Sequence, residues 1–366
     1  MDAGLVDIVT LADIGAGDRA LVGGKGASLG ELTGAGIRVP PAFVVTTGAF
    51  RRCLGQGNML GAIATEIRRL DPGEPDRVAD VTAAIRARIE ATPLPTDLEA
   101  AIQEGYAALA GEPAGDPQPS RPAVAVRSSA TGEDSAEASF AGLQDTYLWV
   151  RGDEVPAHVL RCWASLYSVE SVTYRLRRGI SEAGLAMAVV VQRMVDARTS
   201  GVMFTRSPRS GDRSVIVIEA AWGLGSAVVG GEVTPDGWVV NKVTGEVIRR
   251  TVSRKLRRHL LHPSGRGVVD DEVPDELKEV PSLSEAELGT VVDAGRVIER
   301  HYGTPQDIEW AMAGEEPAEL YVLQSRPETV WAARSAEPVA GPAARDFDHV
   351  ASLLGRPPQP PDGTPR

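Results

Sequence analysis

Two strand-like segments near the end of the chain constrain the fold more than any other feature. They read PQDIEWAM (305–312) and ELYVLQSRP (319–327), with a Gly/Glu/Pro turn between them. Alternate residues of a strand share a face, so Asp307 and Glu309 point to one side of the first segment. Gln324 and Arg326 likewise share a face of the second. If the two segments pair as antiparallel strands, these four side chains predict one of two features. They form either a Mg²⁺ and phosphate site or a solvated face with a cross-strand salt bridge.

Strand-type and helix-type segments alternate along the rest of the chain. Apolar residues at helical spacing, interrupted by Pro- and Gly-rich turns, cover residues 59–110, 154–179 and 283–303. Apolar runs of strand length cover 123–126, 186–195, 200–206 and 214–222, and a hairpin pattern covers 237–252. A chain of 366 residues is too long for one compact domain. Mixed strands and helices in two lobes indicate an α+β architecture.

The segment GGKG, residues 23–26, comes directly before a helix predicted from Ala27 to Thr33. Adjacent glycines let the backbone wrap around a phosphate, and Lys25 would add positive charge. The segment is not a Walker A loop, because Gly26 rather than serine or threonine follows the lysine. The alternative is a simple glycine turn that leaves Lys25 in solvent.

The stretch VRSSATGEDSAEASFAG, residues 126–142, contains almost nothing to bury. Such a composition is typical of a solvated loop or linker. The stretch follows the strand-like AVAV, which places Arg127 at a strand end, where its guanidinium could hold phosphate oxygens. The small residues behind it are then interpreted as a mobile flap that closes over the ligand.

Two further polar residues are candidates for nucleotide contacts. Gln192 lies inside an apolar strand, where a base or ribose could use it, although a glutamine at the core edge is the simpler interpretation. Glu219 is predicted at a strand end, before a tight backbone turn at Gly223 and Gly225. The five histidines match no catalytic motif, and no serine–histidine–acid arrangement can be recognised in the sequence.

The charge balance and the N-terminus limit the class of protein. The net charge is −12 and the pI about 5.1, which argues against a nucleic-acid partner but not against a local phosphate pocket. The first residues carry no basic segment before an apolar core, and no apolar run is long enough for a membrane span. We therefore expect a cytoplasmic protein in which Cys53 and Cys162 are reduced thiols.

Taken in order, the segments resemble the N-terminal nucleotide-binding portion of phosphoenolpyruvate synthase (pyruvate, water dikinase), of pyruvate phosphate dikinase and of the rifampicin phosphotransferases. The matching blocks lie between residues 22 and 331 and read VGGKGASLGEL, VPPAFVVTTGAF, AVRSSATGEDSAEASFAG, VVVQRMV, SGVMFT, AWGL, TPD, HYGTPQDIEWA and LQSRPETVW. Each block is modest evidence, whereas all of them in order over nearly the whole chain are strong evidence.

The resemblance implies an ATP-grasp fold, in which two α+β lobes close over ATP. The lobes would span residues 1–195 and 196–332, followed by a mobile tail at 333–366. The implied ligands of the triphosphate are Lys25 and Arg127, with Gln324 and Arg326 beside them. The implied adenine wall is Gln192 with the backbone of Met194 and Val195, Glu219 is a weaker candidate for the ribose, and the implied Mg²⁺ ligands are Asp307 and Glu309.

The resemblance also implies the reaction. The β-phosphoryl group of ATP would pass to a histidine on a swivelling domain, leaving AMP and phosphate, and would then reach pyruvate or another acceptor. The chain contains no T-x-H-A segment and no substrate barrel, so we expect a separate domain or subunit to supply both. It also has Ser226 where relatives often carry an acid. The alternatives are the ATP-binding half of an antibiotic or phenol phosphotransferase and a non-catalytic nucleotide-binding module.

Overall fold

Antiparallel strands build two sheets and a small ribbon in the protein, whose computed structural model describes residues 6–110, 123–131, 145–262, 267–315, 318–328 and 331. Residues Met1–Glu328 form one unit and Thr329–Arg366 a second, and the elements below belong to the first. The strands are β1 (Ile8–Thr10), β2 (Ala42–Val45), β3 (Val124–Ala130), β4 (Thr146–Val150), β5 (Met187–Arg193), β6 (Ala197–Phe204), β7 (Val215–Trp222), β8 (Asp236–Asn241), β9 (Val247–Thr251), β10 (Arg257–Leu261), β11 (Val268–Glu272), β12 (Gln306–Ala313) and β13 (Glu319–Pro327).

Helices cover the sheets and confirm the predicted α+β class. They are α1 (Arg19–Gly34), α2 (Thr47–Leu54), α3 (Met59–Ile67), α4 (Pro75–Glu90), α5 (Thr96–Ala110), α6 (Val155–Ser165), α7 (Val169–Arg178), α8 (Ser226–Val229) and α9 (Glu285–Tyr302). Among the described residues, none of these helices is both long and apolar enough to cross a bilayer.

The first sheet has the strand order β1-β2-β5-β3-β4 and is buried on both faces. One face packs against α2 to α7, with Val45, Val189 and Val191 in the main core. The other face packs against α1 through Val44 and Val190. Because both faces are covered, β5 reads as a continuous apolar run rather than as an alternating pattern.

The second sheet has the order β13-β12-β6-β7-β8-β9, and α9 covers one of its faces. The helix predicted over 283–303 is confirmed as α9, which begins with a capping box. The Ser284 side chain accepts a hydrogen bond from the Glu287 backbone N–H at 3.3 Å, and Glu287 accepts one from the Ser284 N–H at 2.9 Å. Gly303 ends the helix with a φ of 69°. The predicted hairpin at 237–252 is confirmed as the pair β8–β9.

Two local predictions were wrong. The helix predicted over residues 154–179 is two helices, because Ser168 interrupts it and caps α7 by accepting a hydrogen bond from the Ser171 N–H at 3.1 Å. The helix predicted from Ala27 begins earlier: α1 extends from Arg19 with a kink at Gly23, whose φ of 70° and ψ of 179° are not helical. The predicted tail at 333–366 and the flap beyond residue 131 lie outside the described residues.

Candidate functional site

A cavity of about 570 Å³ lies between the two sheets of the first unit, where β3 and β5 face β12 and β13. Its lining combines cations, amides and apolar side chains. The lining residues include Lys25, Arg127, Gln192, Met194, Val195, Leu224, Gly225, Ser226, Glu309, Ala311, Leu323, Gln324 and Arg326.

Lys25 reaches the cavity from α1 and does not lie in solvent. It is only 8% exposed, and its Nζ donates to the Ser128 carbonyl oxygen at 2.8 Å. Gly23, two residues before Lys25, has to be glycine because β3 packs closely against it. Gly23 has a φ of 70°, and a Cβ at this position would lie 2.1 Å from the Ser129 carbonyl oxygen. The glycine pair therefore lets β3 approach α1 closely enough to seat the lysine.

The prediction of a solvated loop after residue 126 was wrong for its first residues. Ser128 and Ser129 are completely buried in β3, where they pair with β5. The Ser129 hydroxyl has two partners. It donates to the Val22 carbonyl at 2.8 Å and accepts from the Gly26 N–H at 3.0 Å. Small polar residues suit this position because they fit under α1 and bind its backbone. The amino-acid composition of the segment does not reveal this contact.

Arg127 lies in the middle of β3 and not at its end, where it was predicted. Its guanidinium joins the two sheets across the cavity. Nη1 donates to Gln192 Oε1 at 3.0 Å and to the Leu323 carbonyl at 2.7 Å, and Nη2 donates to Gln324 Oε1 at 2.9 Å. The Glu309 carboxylate is 3.7 Å away. Arg127 is thus buried, charged and held at the point where both sheets meet the cavity.

The β12–β13 pair sets out its side chains as the alternation predicted. Asp307 lies opposite Arg326, and Glu309 lies opposite Gln324. Arg326 Nε donates to Asp307 Oδ2 at 2.8 Å. Glu309, Gln324 and Arg326 line the cavity, whereas Asp307 lies beside it. Lys25, Arg127 and Arg326, which we call the cation group, therefore surround one side of the cavity.

The residues beside the cation group fit a divalent cation. Burial raises the pKa of the Asp307 carboxyl, the Arg326 guanidinium opposes this shift, and the carboxylates of Glu309 and Glu328 add to it. The described residues contain no cluster of three or more His, Cys, Asp or Glu suited to a metal. Two carboxylates nevertheless meet the requirement of Mg²⁺, which takes one or two from the protein and the rest from water and phosphate.

Asp307→Asn is expected to raise the free energy of unfolding near neutral pH, because asparagine carries no buried charge. A carboxyl whose pKa is raised by folding destabilises the fold in its ionised form. This cost is complete above the raised pKa and vanishes below the usual aspartate value of about 3.9. Both proteins should be denatured at pH values from neutral to below the usual aspartate pKa. The gain in free energy of unfolding of Asp307→Asn over the wild type should shrink as the pH falls. A gain that grows on acidification would contradict the assignment.

The wall of the cavity at the end of β5 is apolar, next to one buried amide whose Oε1 accepts the hydrogen bond from Arg127. Gln192 is 2% exposed, and its Nε2 donates to the Pro40 carbonyl at 3.4 Å. Met194 and Val195 follow it out of β5 and pack, partly buried, against a cluster that we call the apolar group: Ala123, Trp149, Ala197, Leu224 and Ala311. The predicted adenine-wall residues are therefore brought together in the cavity.

Glu219 does not join them. It lies inside β7, opposite Val202 and Gly237, and not at the predicted strand end. It is not among the described residues that line the cavity. The turn that follows β7 reaches the cavity instead, through Leu224, Gly225 and Ser226.

The sequence also gave no indication of a polar triad at this turn. Ser226 Oγ lies 2.9 Å from His259 Nδ1, and His259 Nε2 lies 3.2 Å from Glu232 Oε2. No motif joins these residues, because His259 arrives on β10, a strand of the small ribbon that folds back on the turn. The only signal in the sequence was Ser226 itself, at a position where the family resemblance implies that an acid is common.

Comparison with known proteins identifies the family of the chain. Residues 19–346 match the family model described as pyruvate phosphate dikinase, AMP/ATP-binding domain. The chain is 42% identical over 349 residues to a probable phosphoenolpyruvate synthase of Staphylothermus marinus, with 89% of this chain and 42% of that protein covered. It is 44% identical over 324 residues to a rifampicin phosphotransferase of a Streptomyces species, with coverages of 88% and 36%. It is 40% identical over 363 residues to the phosphoenolpyruvate synthase of Aeropyrum pernix, with coverages of 92% and 44%. The chain spans less than half the length of these curated relatives.

Proposed function

We propose that this chain, which belongs to the family of pyruvate phosphate dikinase AMP/ATP-binding domains, is the ATP-binding component of a phosphoenolpyruvate-synthase-like dikinase. It would use Mg-ATP and water to phosphorylate a histidine on a separate domain or subunit: the β-phosphoryl group passes to the histidine, water takes the γ-phosphoryl group as phosphate, and AMP is released. The phosphoryl group would finally reach pyruvate or a similar acceptor. The observation that carries this proposal is a single cavity whose walls include the cation group and residues of the apolar group.

The cation group supplies the charge that a triphosphate needs. Lys25, Arg127 and Arg326 come from α1, β3 and β13, so three separate elements converge on one volume. Phosphoryl transfer is promoted chiefly by positioning and by neutralising charge on the phosphate oxygens. The two arginines can each hold phosphate oxygens in a fork, whereas the lysine acts as a point charge.

The apolar group supplies a site for a flat base. Leu224 and Ala311 belong to the second sheet and its turn, while Met194 and Val195 follow β5 of the first. A base held between them would exclude water, and Gln192 offers an amide at the edge. We therefore propose an ATP-grasp arrangement with lobes at residues 1–195 and 196–332, in which ATP lies between the two sheets.

Asp307 and Glu309 would hold Mg²⁺. When bound, the ion would neutralise phosphate charge and orient the transferred group. The chain's own residues would then do the remaining work: Arg127 and Lys25 fix the triphosphate from the first sheet, and Arg326 fixes it from the second.

The rifampicin phosphotransferase similarity supports a second candidate function. The same ATP-binding portion would then serve an antibiotic or a phenol as the final acceptor. The difference lies in the acceptor, which this cavity does not select. A non-catalytic nucleotide-binding module is the third candidate and would bind ATP without transfer.

The test follows two labels on ATP. The chain is incubated with Mg²⁺ and β- or γ-labelled ATP, with and without a histidine domain from a curated relative. We expect the β label on the histidine domain, the γ label in free phosphate, and AMP only when that domain is present. A domain with its histidine replaced by glutamine is the control and should take no label. Label transfer from the γ position, or ATP turnover unchanged by every histidine domain, would overturn the proposal.

A further inference from the structure

The Ser226–His259–Glu232 triad connects the cavity wall to the small ribbon β10–β11. Ser226 lines the cavity, and its Oγ lies 2.9 Å from His259 Nδ1. The histidine side chain is 13% exposed, and its other nitrogen faces the Glu232 carboxylate at 3.2 Å. A half-buried hydroxyl in a ligand cavity is thus oriented by a nearly buried imidazole.

The backbone fixes this histidine independently of its side chain. The Leu224 N–H donates to the His259 carbonyl at 2.9 Å, and Gly223 forms a parallel bridge with the same residue. Gly223 has a φ of 81°, and a Cβ there would lie 2.4 Å from the His259 carbonyl oxygen. The ribbon therefore docks on the turn through main-chain contacts, so substituting the imidazole leaves the docking in place.

The triad determines whether the Ser226 hydroxyl donates or accepts a hydrogen bond on its cavity side. In the neutral histidine, Nε2–H donates to Glu232, so Nδ1 carries the lone pair and accepts the Ser226 O–H. The oxygen lone pairs of Ser226 then face the cavity as acceptors. Protonation of His259 reverses this, because Nδ1–H would donate to Ser226. The other charged residue opposite His259 is Asp270 on β11, which Arg257 binds at 2.7 Å.

The surroundings of Ser226 select a neutral ligand group. Ser226 follows Leu224 of the apolar group, and Glu232 places negative charge behind His259. A phosphate would be repelled by this carboxylate and attracted to the cation group, which comes from other elements. A neutral hydroxyl can donate a hydrogen bond to the Ser226 oxygen, which a fully ionised phosphate, having only acceptor oxygens, cannot do. In a nucleotide whose base meets the apolar group and whose phosphates meet the cation group, the intervening hydroxyl groups are those of the sugar.

We propose that Ser226 binds a ribose hydroxyl of the nucleotide and that His259 is the positioning residue that orients it. This inference rests on the proposed function, since it requires a nucleotide in the cavity. It assigns sugar recognition to the turn after β7 and not to Glu219. Ser226 then determines the preference of the site for ribonucleotides over deoxyribonucleotides.

The test compares binding of ATP, 2′-deoxyATP and 3′-deoxyATP to the whole chain by calorimetry with Mg²⁺ present. We expect the wild type to bind ATP about three- to tenfold more tightly than at least one deoxynucleotide, as for one neutral hydrogen bond. Ser226→Ala should bind ATP as weakly as that deoxynucleotide and should lose the preference. Loss of affinity for all three nucleotides by the same factor would instead indicate a structural role and overturn the proposal.

Two histidine variants separate orientation from folding. His259→Asn places a polar atom near the Nδ1 position and should keep most of the preference. His259→Gln mimics the Nε2 position, keeps a partner for Glu232, and should lose the preference as Ser226→Ala does. A wild type that binds ATP with no preference, or a Ser226→Ala or His259→Gln variant that keeps the preference, would overturn this inference alone. A wild type that binds no ATP would overturn the proposed function as well.

Discussion

Arg127→Ala is expected to lower phosphoryl transfer from ATP by at least about 100-fold, the scale seen when one charge-stabilising donor is removed from an active site. The guanidinium contacts Gln192 in the first sheet and Leu323 and Gln324 in the second. It therefore contacts both walls of the cavity. Its loss would remove charge from the triphosphate and leave the two walls less well aligned.

The same substitution has a smaller expected effect on stability. Three acceptors lose a donor at a site where Arg127 is 7% exposed, and an unpaired buried acceptor costs about 1–3 kcal/mol unless water replaces the donor. The fold should remain intact because the guanidinium lies beside a cavity that water can enter. Circular dichroism with thermal melting measures this effect separately from transfer.

Arg127→Lys is the matched control. Lysine keeps the charge but cannot reach Gln192 and Gln324 together in a planar fork, so we expect transfer between that of the wild type and that of Arg127→Ala. Wild-type transfer in Arg127→Ala, or equal losses in the two variants, would contradict the role assigned to the guanidinium.

Gly23→Ala is expected to destabilise the protein by several kcal/mol, on the order of 4 kcal/mol, from backbone strain and steric overlap together. Gly23 has a φ of 70° and a ψ of 179°, a conformation that residues with a side chain rarely adopt. A Cβ would also lie 2.1 Å from the Ser129 carbonyl oxygen. Either α1 or β3 would have to move, and both carry cations of the proposed phosphate site.

Gly34→Ala is a control within the same helix. A Cβ at Gly34 meets nothing within 4 Å, and alanine favours a helix over glycine by about 1 kcal/mol. We expect Gly34→Ala to melt at or slightly above the wild-type temperature and to bind ATP normally. We expect Gly23→Ala to melt far lower or to be insoluble, with ATP binding lost. Similar melting temperatures for the two variants would contradict the close approach of β3 to α1.

The parts of the fold that follow from local signals could be predicted. Alternation of polar and apolar residues was sufficient to pair β12 with β13 and to predict which side chains share a face, whereas the register that sets Asp307 opposite Arg326 comes from the structure. Apolar residues at helical spacing over 283–303 were sufficient to predict α9. In both cases the signal and the structure it determines lie within a few residues of each other.

The parts that depend on distant contacts could not be predicted. Ser128 and Ser129 resemble loop residues because their composition is polar, yet they are buried against a helix about a hundred positions earlier in the chain. The role of Gly23 depends on the same contact. His259 meets Ser226 only because the ribbon β10–β11 folds back on the turn after β7. Sequence patterns show the type of each residue but do not show which distant residues are in contact.

The most direct test of the central claim is a crystal structure of the chain with Mg²⁺ and a non-hydrolysable ATP analogue. We predict that the triphosphate contacts Lys25, Arg127 and Arg326, and that the base lies beside Met194 and Val195. An analogue bound outside this cavity, or bound with its phosphates at the apolar group, would contradict the account.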